Sequence, residues 1–117
     1  MRTVTVSLGA DSRLVAQARV ASSIWSRFWG LMGQRSLPQG EALIIDPCSS
    51  VHTLFMRFPI DVAFVAKDGR IIKIAEGLKP FRAALGKGSR WVMEMPSGAA
   101  GRAGLVVGDL LVLTEAS

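Results

Sequence analysis

The chain has 117 residues, of which half are hydrophobic and a fifth are charged, and its formal net charge is +5 at pH 7. This composition excludes a disordered chain, and the length suits one domain with a real core. No apolar run approaches the roughly 18 residues of a membrane helix, and the first residues lack a signal-peptide core. We therefore expect a single domain over residues 1–117. We expect it in the cytoplasm, although an exported chain trimmed of its signal would look the same. The single cysteine, Cys48, excludes an internal disulfide.

The first half of the chain predicts strands and one short helix. Residues 3–8 alternate between apolar and polar side chains, as a half-buried strand does, and residues 13–21 predict a second strand. Apolar residues in 24–32 recur at helical spacing, and Gly33 is suited to end that helix. Residues 41–45 predict a third strand. The segment that follows Cys48 is predicted to be extended over residues 52–57.

A hairpin is the clearest prediction in the second half. Residues 60–66 and 70–76 are rich in β-branched side chains and flank the dipeptide Asp68-Gly69. This dipeptide is typical of a two-residue type I′ turn, because both positions tolerate a positive φ.

The two-residue turn also predicts the register of the hairpin. The expected cross-strand pairs are Lys67–Arg70, Val65–Ile72, Ala63–Ile74 and Asp61–Glu76. Two carboxylates directly opposite each other are unfavourable. We therefore predict that the strands separate at this end, or that a cation or a shared proton lies between Asp61 and Glu76. Asp61 is predicted to be the anchored member, held by a cationic side chain or by backbone N–H groups.

The rest of the chain adds a basic loop, two strands and a short helix. Residues 78–91 are predicted to form a loop interrupted by glycines, followed by a strand over 90–95. Ser97 is expected to cap a helix of one or two turns, and residues 110–114 predict the last strand. Many short strands with Gly and Pro turns indicate a mainly β (α+β) fold. We expect a small barrel-like single domain of short, largely antiparallel strands with two short helices.

Three separated motifs occur in order along the chain: WGLMGQRSLPQGEALII, VHTLFMRFPIDVAFVAKDGRI and WVMEMPSGAAGRAGLVVGD. Together they closely resemble the family called domain of unknown function (DUF) 192, over about residues 29–113. The features that match are the Gly30-Leu31-Met32 segment, the box from His52 through Thr53, Phe55, Met56 and Arg57 to Asp61, the Glu94-Met95-Pro96 strand end, and the turn with Gly104, Gly108 and Asp109. The resemblance implies a compact barrel-like domain and no established reaction.

Two positions depart from the family pattern. Phe55 stands where the family usually has Trp, and Phe58-Pro59 replaces an Asn that often follows the basic residue. Family members often carry an export signal that this chain lacks, so their location does not transfer to it.

Five polar or soft side chains are the candidate ligand-binding residues: His52, Met56, Arg57, Asp61 and Glu94. Asp61 and Glu94 interrupt apolar strands, where an unpaired carboxylate is unfavourable. Arg57 can bind a carboxylate through two hydrogen bonds, and His52 titrates near neutral pH. These residues form either a structural ion-pair network or a polar pocket. If they form a pocket, the chain is a module that binds an unidentified small ligand or protein.

Two alternatives remain open. The first is a small enzyme, a hydrolase or transferase, that uses Asp61, Glu94 or His52 as acid or base. The second is a basic nucleic-acid adaptor, because eight basic and three acidic residues between 67 and 102 account for the whole net charge. The anion-binding candidates are Lys79, Arg82, Lys87 and Arg90, although nucleic acid is the less favoured partner.

No cofactor or metal is predicted. Cys48, His52 and Met56 are the ligand types that suit Cu(I). In an extended strand, residues four apart are separated by roughly 13 Å, which is too far for one metal ion or for a thiol–imidazole pair.

Overall fold

The structure, a computed structural model, describes residues 2–21, 37–52 and 58–115, so the helix predicted over 24–32 and the extended residues 53–57 lie outside it. Its strands are β1 Arg2–Leu8, β2 Leu14–Ala21, β3 Glu41–Ile45, β4 Ser50–His52, β5 Ile60–Val65, β6 Ile71–Leu78, β7 Ala83–Leu85, β8 Trp91–Pro96 and β9 Leu111–Glu115, and its one described helix is α1 Ala99–Arg102. The prediction of a mainly β domain is confirmed.

Seven strands form one curled sheet in the order β6-β5-β8-β3-β2-β1-β9. All neighbours are antiparallel except β2 and β3, which run parallel. The remaining strands, β4 and β7, form a separate antiparallel pair, which we call the ribbon. Strands of alternating apolar residues suit such a sheet, because each one buries a face.

The two edge strands of the curled sheet meet at one end. Arg70 and Leu110 form an isolated bridge, and the Leu111 N–H donates to the Gly69 carbonyl over 2.8 Å. The Ile71 N–H donates to the Asp109 carbonyl over 2.9 Å. These bonds close one end of a half-barrel.

Each face of the large sheet has its own apolar core. The helix-side core includes Val6, Ala18, Ala63 and Met93, and Ala100 of α1 packs in it. The ribbon-side core is smaller. Its buried members are Ala21, Leu37, Leu43, Ile45, Val51, Ile60, Val62, Phe64 and Val92. Ala84 of the ribbon packs against this second core. Because both faces of β5 and β8 are covered, every residue of these strands is buried.

The predicted two-residue type I′ turn is wrong, although the predicted positive φ at Gly69 is present at 98°. The Ala66 N–H donates to the Arg70 carbonyl, and the Gly69 N–H donates to the Ala66 carbonyl. Three residues therefore form the loop, with glycine at the left-handed position typical of this hairpin class. Asp68 stabilises the longer loop, because its Oδ1 accepts the Arg70 N–H over 3.0 Å.

The register of the hairpin follows from this loop and from two bulges. Val65 pairs with Ile71 rather than with Ile72, and a first bulge then restores the predicted pair of Ala63 with Ile74. A second bulge lies between the Val62–Ala75 and Ile60–Leu78 pairs. Asp61 therefore has two residues of β6 opposite it instead of Glu76 alone.

The predicted loop over 78–91 is also partly wrong. Residues Ala83–Leu85 form β7, which pairs with β4 so that Ser50 lies opposite Leu85 and His52 lies opposite Ala83. The strand is short and contains two alanines, so its sequence pattern alone does not predict a strand. The pairing depends on β4 and on the packing of Ala84.

Candidate functional site

Asp61 is fully buried in β5, and three backbone N–H groups hold its carboxylate. Oδ1 accepts the Gly77 N–H over 2.7 Å. Oδ2 accepts the N–H groups of Gly98 and Ala100, each over 3.0 Å. The prediction that Asp61 is anchored by backbone N–H groups is therefore confirmed, and the donors come from two separate elements of the chain.

The bulge in β6 supplies the first of these donors. Glu76 and Gly77 lie together opposite Asp61, and Gly77 has a φ of 60°, which glycine adopts without steric penalty. Glu76 is exposed while Asp61 is buried. The bulge thus separates the two carboxylates that a regular ladder would place face to face. The strands part at this point, which is one of the two outcomes that the sequence predicts.

The beginning of α1 supplies the other two donors. Its N-cap residue is Gly98, with a φ of 88°, and a glycine has no side chain that could cap the helix. The predicted cap by Ser97 is therefore wrong. Instead the carboxylate of Asp61 accepts hydrogen bonds from the first N–H groups of the helix. It takes the place of the side chain that an N-cap residue usually provides. Asp61 joins β5, β6 and α1.

This arrangement favours a structural role for Asp61. Both carboxylate oxygens already accept hydrogen bonds, and none of the side chain is exposed. A substrate has no path to the carboxylate unless α1 moves away. The contacts therefore support the interpretation of a satisfied structural carboxylate over that of an acid or base.

Glu94 is the second fully buried carboxylate, and it lies on the other face of the sheet. It is opposite Val62 in β5 and opposite Leu43 in β3, and both of these residues belong to the ribbon-side core. Asp61 is opposite Met95, which belongs to the helix-side core. The structure therefore does not bring Asp61 and Glu94 into one cluster.

The other predicted ligand-binding residues belong to the segment that begins with β4. His52 is the last residue of β4 and is in register with Ala83, while Met56 and Arg57 lie outside the described residues. Cys48 precedes β4, and its thiol donates to the Ser50 carbonyl over 3.0 Å. Within the described part of the chain, no three metal-ligating side chains cluster.

The four basic candidates do not form one cluster of equivalent cations. The Nε of Arg90 forms an ion pair with Asp46 Oδ1 over 3.0 Å. Lys79, Arg82 and Lys87 are exposed on the segment that leads into and out of β7. Arg82 also donates to the Phe81 carbonyl over 3.2 Å. Lys79, Arg82 and Lys87 are thus surface cations of the segment that contains β7.

An open apolar groove of about 350 Å³ lies on the ribbon. Its lining residues are Ser50, Val51, Ala83, Ala84 and Leu85. Leu85 is 62% exposed, and the nearby Phe81 is 69% exposed. We call the groove together with Phe81 the ribbon surface. The sequence does not reveal this surface, because residues 78–91 are predicted to form a loop and Ala83-Ala84-Leu85 has no alternating pattern.

Among the described residues, no helix is long and apolar enough to cross a membrane. This finding agrees with the absence of a long apolar run in the sequence.

Comparisons with known proteins agree with the three sequence motifs. The profile of the DUF 192 family, described as an uncharacterized ACR, matches residues 5–113. A UPF0127 protein of Pyrococcus furiosus is 31% identical in an alignment of 114 residues that covers 92% of this chain and 94% of that protein.

Two crystal structures have a similar fold. One, from Sinorhizobium meliloti, has a TM-score of 0.83 and 24% identity, and the match covers 95% of this chain and 93% of that one. The other is a protein of unknown function from Novosphingobium aromaticivorans. It has a TM-score of 0.79 and 25% identity, over 94% of this chain and 83% of that one. With a family profile that spans nearly the whole sequence, the chain belongs to the DUF 192 family.

Proposed function

We propose that the protein is a binding module and that the ribbon surface is its binding face. The observation that carries this proposal is an open groove with apolar lining, beside which two large apolar side chains are mostly exposed. Exposed apolar patches of this kind are commonly sites where a ligand or partner binds, because binding removes them from water.

One of the predicted ligand-binding residues supports the same face, because His52 ends the β4 strand that forms half of the ribbon. Glu94 lies on the ribbon side of the sheet but is fully buried, so it does not contribute to the exposed surface. Met56 and Arg57 follow β4 in the sequence and remain candidates with His52. In this proposal Asp61 serves the fold, and a cytoplasmic location remains a prediction.

The proposal can be tested with an anionic apolar dye, anilinonaphthalene sulfonate, whose fluorescence rises when it leaves water. The native protein is expected to bind the dye with a defined stoichiometry at the groove. Leu85→Ser removes a lining side chain that is 62% exposed, and we expect binding to weaken by about tenfold.

The matched control is Leu14→Ser, which makes the same change at a leucine that is 59% exposed in β2 and does not line the groove. Ala83→Glu is a second variant, because it places a negative charge in the groove and should repel the dye. Equal dye binding by the native protein and by the Leu85 and Ala83 variants would contradict the proposal. Far-UV circular dichroism checks that each variant is folded.

A further inference from the structure

The ribbon surface combines apolar side chains with a local excess of positive charge. Residues 79–90 contain four basic residues and no acidic one. Lys79, Arg82 and Lys87 are all exposed and lie within eight positions of one another along the chain. A surface of this composition offers an apolar contact and an anionic contact side by side.

Phe81 combines an unusual backbone conformation with a largely exposed side chain. Its φ is 63°, in the left-handed region that bulky residues rarely adopt, and its side chain is 69% exposed. Leu85 lies four residues later on the exposed side of β7. Phe81 and Leu85 have basic residues on both sides of them in the sequence. At a bilayer interface, apolar side chains enter the headgroup boundary and basic side chains are attracted to anionic lipids.

Anionic lipid is favoured over nucleic acid by the type of apolar side chain. Single-stranded nucleic acids bind through aromatic platforms on which successive bases stack. The ribbon surface offers one aromatic residue, Phe81, while the groove itself is lined by aliphatic and small side chains. Leucine and alanine contribute nothing to base stacking, whereas they lose contact with water among acyl chains as readily as phenylalanine does.

A peptide that adds a strand to β7 is disfavoured because part of the outer edge of β7 is already used. The Gly86 N–H donates to the Ser49 carbonyl, so in this antiparallel ladder the Leu85 carbonyl points away from β4. That carbonyl accepts a hydrogen bond from Lys73 Nζ over 2.7 Å. One acceptor on this three-residue edge is therefore already occupied.

We propose that the ribbon surface binds the surface of an anionic phospholipid bilayer, with Phe81 and Leu85 inserted at the interface and Lys79, Arg82 and Lys87 against the lipid phosphates. This inference rests on the proposed function, since it names the partner of the same face. The contact is peripheral, because two side chains and a groove enter the interface while the sheet stays outside it.

The test is co-sedimentation of the whole protein with vesicles. One set contains phosphatidylcholine alone, and the other contains about a third phosphatidylglycerol at roughly 0.1 M salt. We expect binding to the anionic vesicles only, weakened by added salt. Leu85→Ser and Phe81→Asn should each reduce it about tenfold. Asparagine is chosen because it tolerates a positive φ. Leu14→Ser should leave binding unchanged.

A charge-matched pair of triple variants separates local from overall charge. Replacing Lys79, Arg82 and Lys87 together by glutamine should reduce vesicle binding by about a hundredfold. The control replaces three basic residues elsewhere, Arg13, Arg19 and Lys67, and it lowers the net charge by the same amount. It should reduce binding far less. Equal losses in both triple variants would overturn the ribbon surface as the contact.

Dye binding measured on the same samples separates the two proposals. If the dye still depends on Leu85 while anionic vesicles do not bind, the membrane inference is wrong and the binding face stands. If neither the dye nor the vesicles depend on Leu85, both are wrong. Binding of a fluorescent oligothymidine in place of vesicles, lost in Phe81→Asn, would also overturn the membrane inference and make nucleic acid the partner.

Discussion

Removing the Asp61 carboxylate is the most informative change to the fold. Asp61→Ala leaves the N–H groups of Gly77, Gly98 and Ala100 without their acceptor. It also removes the only contact in which one side chain bonds both to the bulge of β6 and to the start of α1 among the described residues. The change therefore acts on three elements at once.

The size of the effect depends on how many of these donors water can reach. A buried donor that loses its partner costs about 1–3 kcal/mol, and Ala100 is fully buried. Gly77 and Gly98 are exposed residues, so water can partly replace the carboxylate there. The bond from the Ala100 N–H is also the cap of α1, so the two costs describe one interaction. We expect Asp61→Ala to lower the free energy of unfolding by about 1–3 kcal/mol.

Thermal or urea denaturation measures this loss directly. For a domain of this size, about 1–3 kcal/mol corresponds to a fall in Tm of roughly 4–12 °C. Asp61→Asn should fall between native and alanine, because its amide retains one acceptor oxygen but points an N–H₂ group at backbone donors. Glu76→Ala is the control on the exposed side of the same bulge and should change stability by less than about 0.5 kcal/mol. Small, equal shifts for Asp61→Ala and Glu76→Ala would refute the anchoring role.

Four glycines give two paired predictions for the same denaturation assay. Gly69→Ala should destabilise by about 2 kcal/mol or more, because its Cβ would lie 2.6 Å from a backbone carbonyl of β9. The control Gly40→Ala has a similar positive φ but open space around it, so only the conformational cost of about 1 kcal/mol is expected. Gly86→Ala should also destabilise, because its Cβ would overlap the Phe64 ring, whereas Gly101→Ala meets nothing and should be neutral or stabilising. Equal effects within either pair would show that the close contacts do not limit these positions.

Most strands could be predicted from the sequence because alternation and β-branched residues are local signals. β3 begins and ends at the predicted residues, β5 ends one residue earlier than predicted, and β8 begins and ends one residue later than predicted. The three-residue hairpin loop could not be predicted from Asp68-Gly69 alone. The loop is held by a hydrogen bond from Leu111 of β9 to the Gly69 carbonyl and by the bridge between Arg70 and Leu110, both of which join it to a distant part of the chain.

The candidate site shows the same division between local and distant causes. An acid inside an apolar strand indicates that the carboxylate needs hydrogen-bond partners, and Asp61 has three of them. The placement of Asp61 and Glu94 on opposite faces follows from the register of β5 and β8, which only the folded sheet defines. The ribbon surface depends on β7, whose three residues form a strand because β4 lies beside them.

The pairing of β1 with β9 has a consequence during translation. β1 is synthesised first, and β9, which covers one of its edges, emerges from the ribosome last among the strands. Until then, an alternating strand with unpaired backbone groups is exposed on the nascent chain, a state that favours intermolecular pairing. A partner so distant in the sequence also slows the final step of folding, because the loop must close before the contact forms. Thr3 and Thr5, at alternate positions of β1, keep one face of that strand hydrophilic until β9 pairs with it.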